Sequence, residues 1–268
     1  MNASKREVQQ FWDRASCGED LFLAGRDREH YEEQARARYA LEPYIPDFAL
    51  FGESRGLRVL EIGVGLGADH ECFGRAGADL VGIDLTPRAV AHTLARLKTV
   101  GVQSVLCVAD AENLPFAKET FHCVYSWGVI HHSPDTARAV SEIFRVLKPG
   151  GEARIMVYHK YSLVGAMLWV RYALLSGKPF TTLSEIYSRH LESPGTKAYS
   201  ASEARRLFSA FSNVSLEIEL SHGDLLSEHA GQRHRGRALS LARLVWPRRF
   251  VKTFLKRFGL FLCVTATR

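Results

Sequence analysis

RVLEIGVGLGADH, residues 58–70, decides how the rest of the chain is read. An apolar run carries an acid, Glu61, and glycines follow at 63, 65 and 67 before a helical pattern begins. Glycine has no Cβ and accepts left-handed backbone angles, so a strand that turns into a helix through glycines lets the backbone come close to a ligand. Gly63-x-Gly65-x-x-Ala68 satisfies the spacing of a dinucleotide-binding turn, and Asp84 falls about twenty residues on, where a ribose-binding acid belongs. Alone, that spacing fits a nicotinamide or flavin site as well as any other nucleotide.

Outward from this turn, short apolar runs alternate with helical stretches. Strands are predicted at 58–62, 79–84, 104–109, 121–126, 152–158, 214–220 and 259–267, and helices at 67–76, 86–100, 135–147 and 200–211. Thr86 supplies an N-cap and Pro87 the first helical position. Ser200-Ala-Ser-Glu203 is a capping box. The βαβ alternation predicts an α/β fold, an open parallel sheet with helices on both faces. Residues 1–50 read as helical and mixed in charge, a helical lid ahead of a domain at 51–268. Two insertions interrupt that domain. Residues 160–198 hold an apolar helix (LVGAMLWVRYALL) and a shorter one (SEIYSRHL), and residues 221–258 are too long for a plain strand connection.

The bulk numbers bound the class. Of 268 residues, 46% are hydrophobic and 24% charged, which suits one compact domain with a substantial core. The start, MNASKREVQQ, is polar, and the greasiest run, Ser162 to Leu175, is too short to span a bilayer and is broken by Arg171. The five cysteines, at 17, 72, 107, 123 and 263, form no CxxC pair and read as reduced, buried thiols of a cytoplasmic protein. Residues 230–268 hold ten Lys/Arg and no acid, leaving 25 bases against 29 acids elsewhere. The net charge of +6 therefore belongs to one local surface, not to a nucleic-acid-binding coat.

Three further segments make the nucleotide more specific. Glu61 stands two residues before Gly63, Asp110-Ala111-Glu112-Asn113-Leu114-Pro115-Phe116 follows the third strand, and Arg145-Val-Leu-Lys-Pro-Gly-Gly151 precedes the fifth. With these, residues 57–158 resemble the class I S-adenosylmethionine-dependent methyltransferases, in particular the subgroup that includes the ubiquinone/menaquinone-biosynthesis enzymes. The resemblance implies a Rossmann-like, mostly parallel seven-stranded sheet with an antiparallel C-terminal strand. It also implies S-adenosyl-L-methionine as cofactor. Gly63, Gly65 and Gly67 would approach its methionine moiety, with the helix N-terminus favouring the carboxylate and Glu61 serving the ammonium. Asp84 would take the ribose hydroxyls with Leu85 beside it, Asp110 and Ala111 the adenine edge, and Ser126 and Trp127 the methionine part.

The acceptor side is less determined. Methyl transfer from a sulfonium needs alignment and exclusion of water, and for a hydroxyl, amine or acidic carbon also a base, for which histidine is suited. The loops after strands four and five offer His131, Tyr158 and His159 as catalytic candidates, with His132 beside them; each histidine could equally be one satisfied by backbone groups. His222, Asp224, His229 and His234 match no tight ligand spacing, so no metal is expected. In RRFVKTFLKRF, residues 248–258, apolar Phe250, Val251, Phe254, Leu255 and Phe258 share a helical face. That pattern describes a helix packed on the sheet, the preferred reading, or a peripheral contact with an anionic membrane. The expected partner is a small apolar or amphipathic methyl acceptor of lipid, quinone or secondary-metabolite type. RNA modification and cofactor binding without turnover stand as alternatives.

Overall fold

The structure, a computed structural model, describes residues 3–227 and 246–268. Four helices come first: α1 (Lys5–Arg14), α2 (Glu19–Phe22), α3 (Arg28–Leu41) and α4 (Ile45–Ala49). The sheet then builds from β1 (Arg58–Ile62), β2 (Asp79–Asp84), β3 (Val105–Val108), β4 (Phe121–Trp127) and β5 (Leu147–Tyr158), with α5 (Ala68–Ala76), α6 (Pro87–Val100) and α7 (Thr136–Val146) between them. After β5 come α8 (Leu163–Trp169), prolonged by a π-helical turn at Val170–Leu174, then α9 (Leu183–His190) and α10 (Ala201–Leu207). Strand β6 (Ser212–Glu219), helix α11 (Arg248–Phe254) and strand β7 (Phe261–Thr267) complete the described elements.

The seven strands form one sheet in the order β3-β2-β1-β4-β5-β7-β6. The pairs among β1 to β5 are parallel, whereas β7 runs antiparallel to both β5 and β6. The predicted sheet is thus the observed one. The order reverses between β1 and β4, and in open α/β sheets the crevice beyond such a switch point is where ligands bind.

Alternate residues of each strand serve opposite faces. Leu60, Ile62, Val81 and Val124 join Ile143 and Val146 of α7 and Ala204 of α10 in the larger core, while Val59, Leu80 and Tyr125 pack with Phe73 of α5 and Ala49 of α4. Both faces are covered, which is why these strands read as nearly continuous apolar runs. The caps fall where the sequence puts them. Thr86 Oγ1 accepts from the Ala89 amide, and Ser200 with Glu203 completes its capping box.

Three expectations change. β5 begins at Leu147, because Lys148-Pro149-Gly150-Gly151 bulges within the strand and does not end it. All five cysteines are free thiols as expected, but Cys263 alone is buried. Helix α11 buries Val251 and half-buries Leu255, whereas Phe250 and Phe254 stand 53% and 65% exposed with rings 5.1 Å apart, so only part of its apolar face is packed. His229 and His234 lie outside the described residues. No helix among the described residues is long and apolar enough to cross a membrane.

Candidate functional site

A cavity of about 250 Å³ opens at the carboxyl ends of β1, β2, β3 and β4, roofed by α1 and α3. The turn after β1 forms one wall. Gly63, Gly65 and Gly67 all have left-handed backbones, at φ 84°, 52° and 77°. They are glycines for different reasons. A Cβ on Gly63 would meet Val129 Cγ2 at 2.2 Å, and one on Gly67 would meet Thr93 Oγ1 at 2.9 Å and its Cα at 3.1 Å. A Cβ on Gly65 would meet nothing within 4 Å. Internal packing therefore demands Gly63 and Gly67, and only Gly65 presents bare backbone to open space.

The acids follow at the strand ends. Asp84 caps the next turn: Oδ1 accepts from Thr86 N and Oγ1, each at 2.9 Å, and Oδ2 from Gly65 N at 3.2 Å. Burial nevertheless pushes its carboxyl above the usual range. Leu85 lines the cavity and its carbonyl accepts from Gln9 Nε2 of α1 at 2.9 Å. Asp110 and Ala111 follow β3, and Lys5 of α1 ion-pairs with Asp110 and, at 2.6 Å, with Glu112. Ser126 does not line the cavity; its hydroxyl is buried without a hydrogen-bond partner, and Trp127 alone of that pair reaches the site.

Glu61 is 3% exposed, with Oε2 2.8 Å from His70 Nδ1. The proton's place follows from the chain of contacts. Ser104 Oγ donates to Leu80 O at 2.9 Å, so it accepts from His70 Nε2–H at 2.8 Å. Burial pulls His70 down to about 3, leaving it neutral with a bare Nδ1. Burial, reinforced by the Asp69 carboxylate, raises Glu61 well above the usual range. Glu61 is therefore a neutral acid donating to His70. Asp69 is the opposite case. Burial alone would raise it, but donors from Arg38 (2.6 and 3.0 Å), Tyr39 (2.9 Å) and Tyr125 (2.8 Å) hold it below the usual range. Arg38, from α3, also lines the cavity and stands 3.5 Å from Glu42, whose buried carboxyl is pushed up to about 7 by desolvation.

The far wall is aromatic and titratable. Trp127, Met156, Tyr158 and Phe261 line it, Phe261 stacking on Tyr158 with ring centroids 6.1 Å apart. His132 and Glu192 complete it, with Nε2 and Oε2 3.3 Å apart, and Tyr158 donates its hydroxyl to Glu192 Oε2 at 2.7 Å. Burial and the adjoining Glu192 push the Tyr158 phenol far above its usual range, which makes it a hydrogen-bond donor and not a base.

Two candidate catalytic residues fall elsewhere. His131 does not line the cavity: it is fully buried, sandwiched against Tyr158 (4.0 Å) and His132 (4.2 Å), and burial drives its pKa far down. His159 donates Nδ1–H to Gly259 O at 3.1 Å and pairs its backbone N–H with Leu260 O, so it is a backbone-satisfied histidine of the β5–β7 junction. Arg38, Glu42, Asp69 and Glu192 escaped the sequence reading. Arg38 lies on α3, Glu42 just past its end and Glu192 in the 160–198 insertion, and nothing local marks them.

Residues 60–155 match the family described as a methyltransferase domain. The ubiquinone biosynthesis O-methyltransferase of Cereibacter sphaeroides is 30% identical over 142 residues, covering 50% of this chain and 58% of that protein. The chain spans about half the length of the curated relatives it matches. Among solved structures, an S-adenosylmethionine-dependent methyltransferase from Mesorhizobium loti superposes with a TM-score of 0.53 at 18% identity, over 84% of this chain and 97% of that one. The [4+2]-cyclase SpnF superposes at 0.58 and 15% identity, over 100% and 97%. The fold is therefore that of class I methyltransferases, a fold shared with a [4+2]-cyclase.

Proposed function

We propose, from the premise that residues 60–155 are a methyltransferase domain in a class I fold, that the protein transfers a methyl group from S-adenosylmethionine to a small amphipathic acceptor. The observation that carries this reading is a single cavity joining the glycine turn and the strand-end acids to an aromatic wall with its own titratable groups. The donor side suits the cofactor. Gly65 offers a cradle without a Cβ, Arg38 stands by for a carboxylate, Glu61 for an ammonium, Asp84 for vicinal hydroxyls and Asp110 for a purine edge. The bound donor supplies an electrophilic methyl group, and the residues of the chain align the acceptor and keep water out.

The acceptor side supports a molecule with an apolar body and a polar end. Trp127, Met156 and Phe261 would take the body, and His132, Glu192 and Glu42 the end. Helices α1 and α3 then act as the lid, Lys5 and Gln9 fastening it to Glu112, Asp110 and Leu85. A peripheral contact with anionic lipid through α11 is supported by its exposed phenylalanine pair beside exposed Arg249 and Lys252.

Calorimetry with S-adenosylmethionine tests the donor half: Asp84→Asn weakens binding by about tenfold or more, the worth of a charge-assisted hydrogen bond. Tight binding of NADH in its place would sink the reading. Label passing from methyl-labelled S-adenosylmethionine into a lipid or small-metabolite extract tests the transfer itself.

A further inference from the structure

We propose that His132 is the general base of this site, that Glu192 stabilises its protonated form, and that the acceptor presents an O–H or N–H group to His132. This deepens the methyl-transfer reading and rests on it.

The proposal assigns His132 one tautomer, which the hydrogen bonds around Nδ1 accommodate. Thr196 spends its hydroxyl proton on Ser193 O at 2.7 Å, so toward His132 Nδ1, 3.1 Å away, its oxygen can only accept. Ser193 Oγ stands 2.8 Å from the same nitrogen, and both residues are 1% exposed. In the proposed state Ser193 turns its proton to Thr196 Oγ1, 3.4 Å away, and not to the ring, so that Nδ1 carries the proton and Nε2 is bare. That bare nitrogen is buried and makes no hydrogen bond, yet it lies 3.3 Å from Glu192 Oε2 in the cavity wall. Tyr158 already donates to that same carboxylate oxygen. A lone pair facing a carboxylate is unfavourable until a proton donor enters between them. An alcohol, phenol or amine supplies one; an ether or a carbon acid with no polar hydrogen does not. Trp12 closes over the imidazole with ring centroids 5.2 Å apart, and the buried His131 ring backs it at 4.2 Å, so the base is held in place and shielded from bulk water.

In the step, His132 Nε2 takes the proton as the acceptor's oxygen or nitrogen bonds the methyl carbon. The carbon–sulfur electron pair stays on the donor sulfur, whose charge it cancels, and the positive charge ends on an imidazolium 3.3 Å from Glu192. Ser193, Thr196 and Tyr158 act through these two groups and are positioning residues.

Nitrogen-15 NMR of the imidazoles in the full chain near neutral pH reads the tautomer directly. The expected result is a neutral His132 protonated at Nδ1; an imidazolium, or a proton on Nε2, overturns the proposal. Phenol and anisole serve as probes of the same shape with and without a donor hydrogen. Phenol is expected to move the Nε2 resonance and to bind at least about tenfold more tightly than anisole, a difference abolished in Glu192→Gln. Equal affinities, or no movement of Nε2 with either probe, count against it. The three ligand atoms of His131, His132 and Glu192 lie within 4.8 Å of one another, so stoichiometric zinc binding lost in His131→Asn would replace the base with a metal site. Labelling of extract should fall about 10²- to 10⁴-fold in His132→Asn while S-adenosylmethionine still binds. Loss of that binding in the wild-type protein sinks the donor reading and leaves the tautomer result standing.

Discussion

At the scale of single residues, two buried acids of the donor side are pushed opposite ways: Asp69 of α5 is held below the usual carboxylate range by its donors, and Glu61 of β1 is pushed above it. Glu61 holds a proton because burial and the neighbouring Asp69 disfavour a second negative charge, and His70 is too deeply buried to take it. An arriving ammonium would reverse that balance. S-adenosylmethionine binding is therefore expected to release a proton from Glu61 and to strengthen as pH rises toward the raised value of that carboxyl. Calorimetry in buffers of different ionisation enthalpy measures this, and Glu61→Gln should abolish the buffer dependence. The acids and glycines of this region were legible because they are neighbours in sequence. The choice between His131 and His132 was not, since both ride a 3-10 turn at Ile130–His132 that sends one ring into the core and the other to the cavity.

At the scale of elements, β1 and β2 coincide with their predicted bounds because buried parallel strands are apolar throughout and end abruptly at turn residues. The start of β5 was hidden because Pro149, Gly150 and Gly151 signal a turn, whereas the chain only bulges there. Packing of the N-terminal helices was also illegible, since their ties join residues far apart in sequence. Glu19 of α2 grips Arg88 of α6 through two hydrogen bonds of 2.6 and 2.7 Å, with His92 at 3.0 Å. The Arg88 hydrogen bonds pull its carboxyl down to about 2 from 4.5, despite partial burial. A depressed folded-state value contributes stability above about pH 4.5 that is lost as pH falls toward about 2. Glu19→Gln should destabilise by about 1–3 kcal/mol at neutral pH. That deficit should shrink across the same acid window, as urea midpoints at pH 7 and pH 3 would record.

At the scale of the whole molecule, the charge asymmetry of the sequence becomes a surface. Arg249 and Lys252 flank Phe250 and Phe254 on α11, and all four are exposed. Vesicles containing anionic phosphatidylglycerol should sediment the protein where neutral phosphatidylcholine does not, with binding weakened by salt and lost in Phe250→Ser/Phe254→Ser. Retained binding in that variant would place the contact elsewhere. The sheet itself carries a different consequence. β7, residues 261–267, is wedged between β5 and β6, and Arg268 ties its end to Gly151 and Leu147. During synthesis β6 emerges with its neighbour still inside the ribosome, so the edge of β5 stays open and the aromatic wall lacks Phe261. The nascent chain can form its donor half early, but the acceptor wall closes only after the wedge is free.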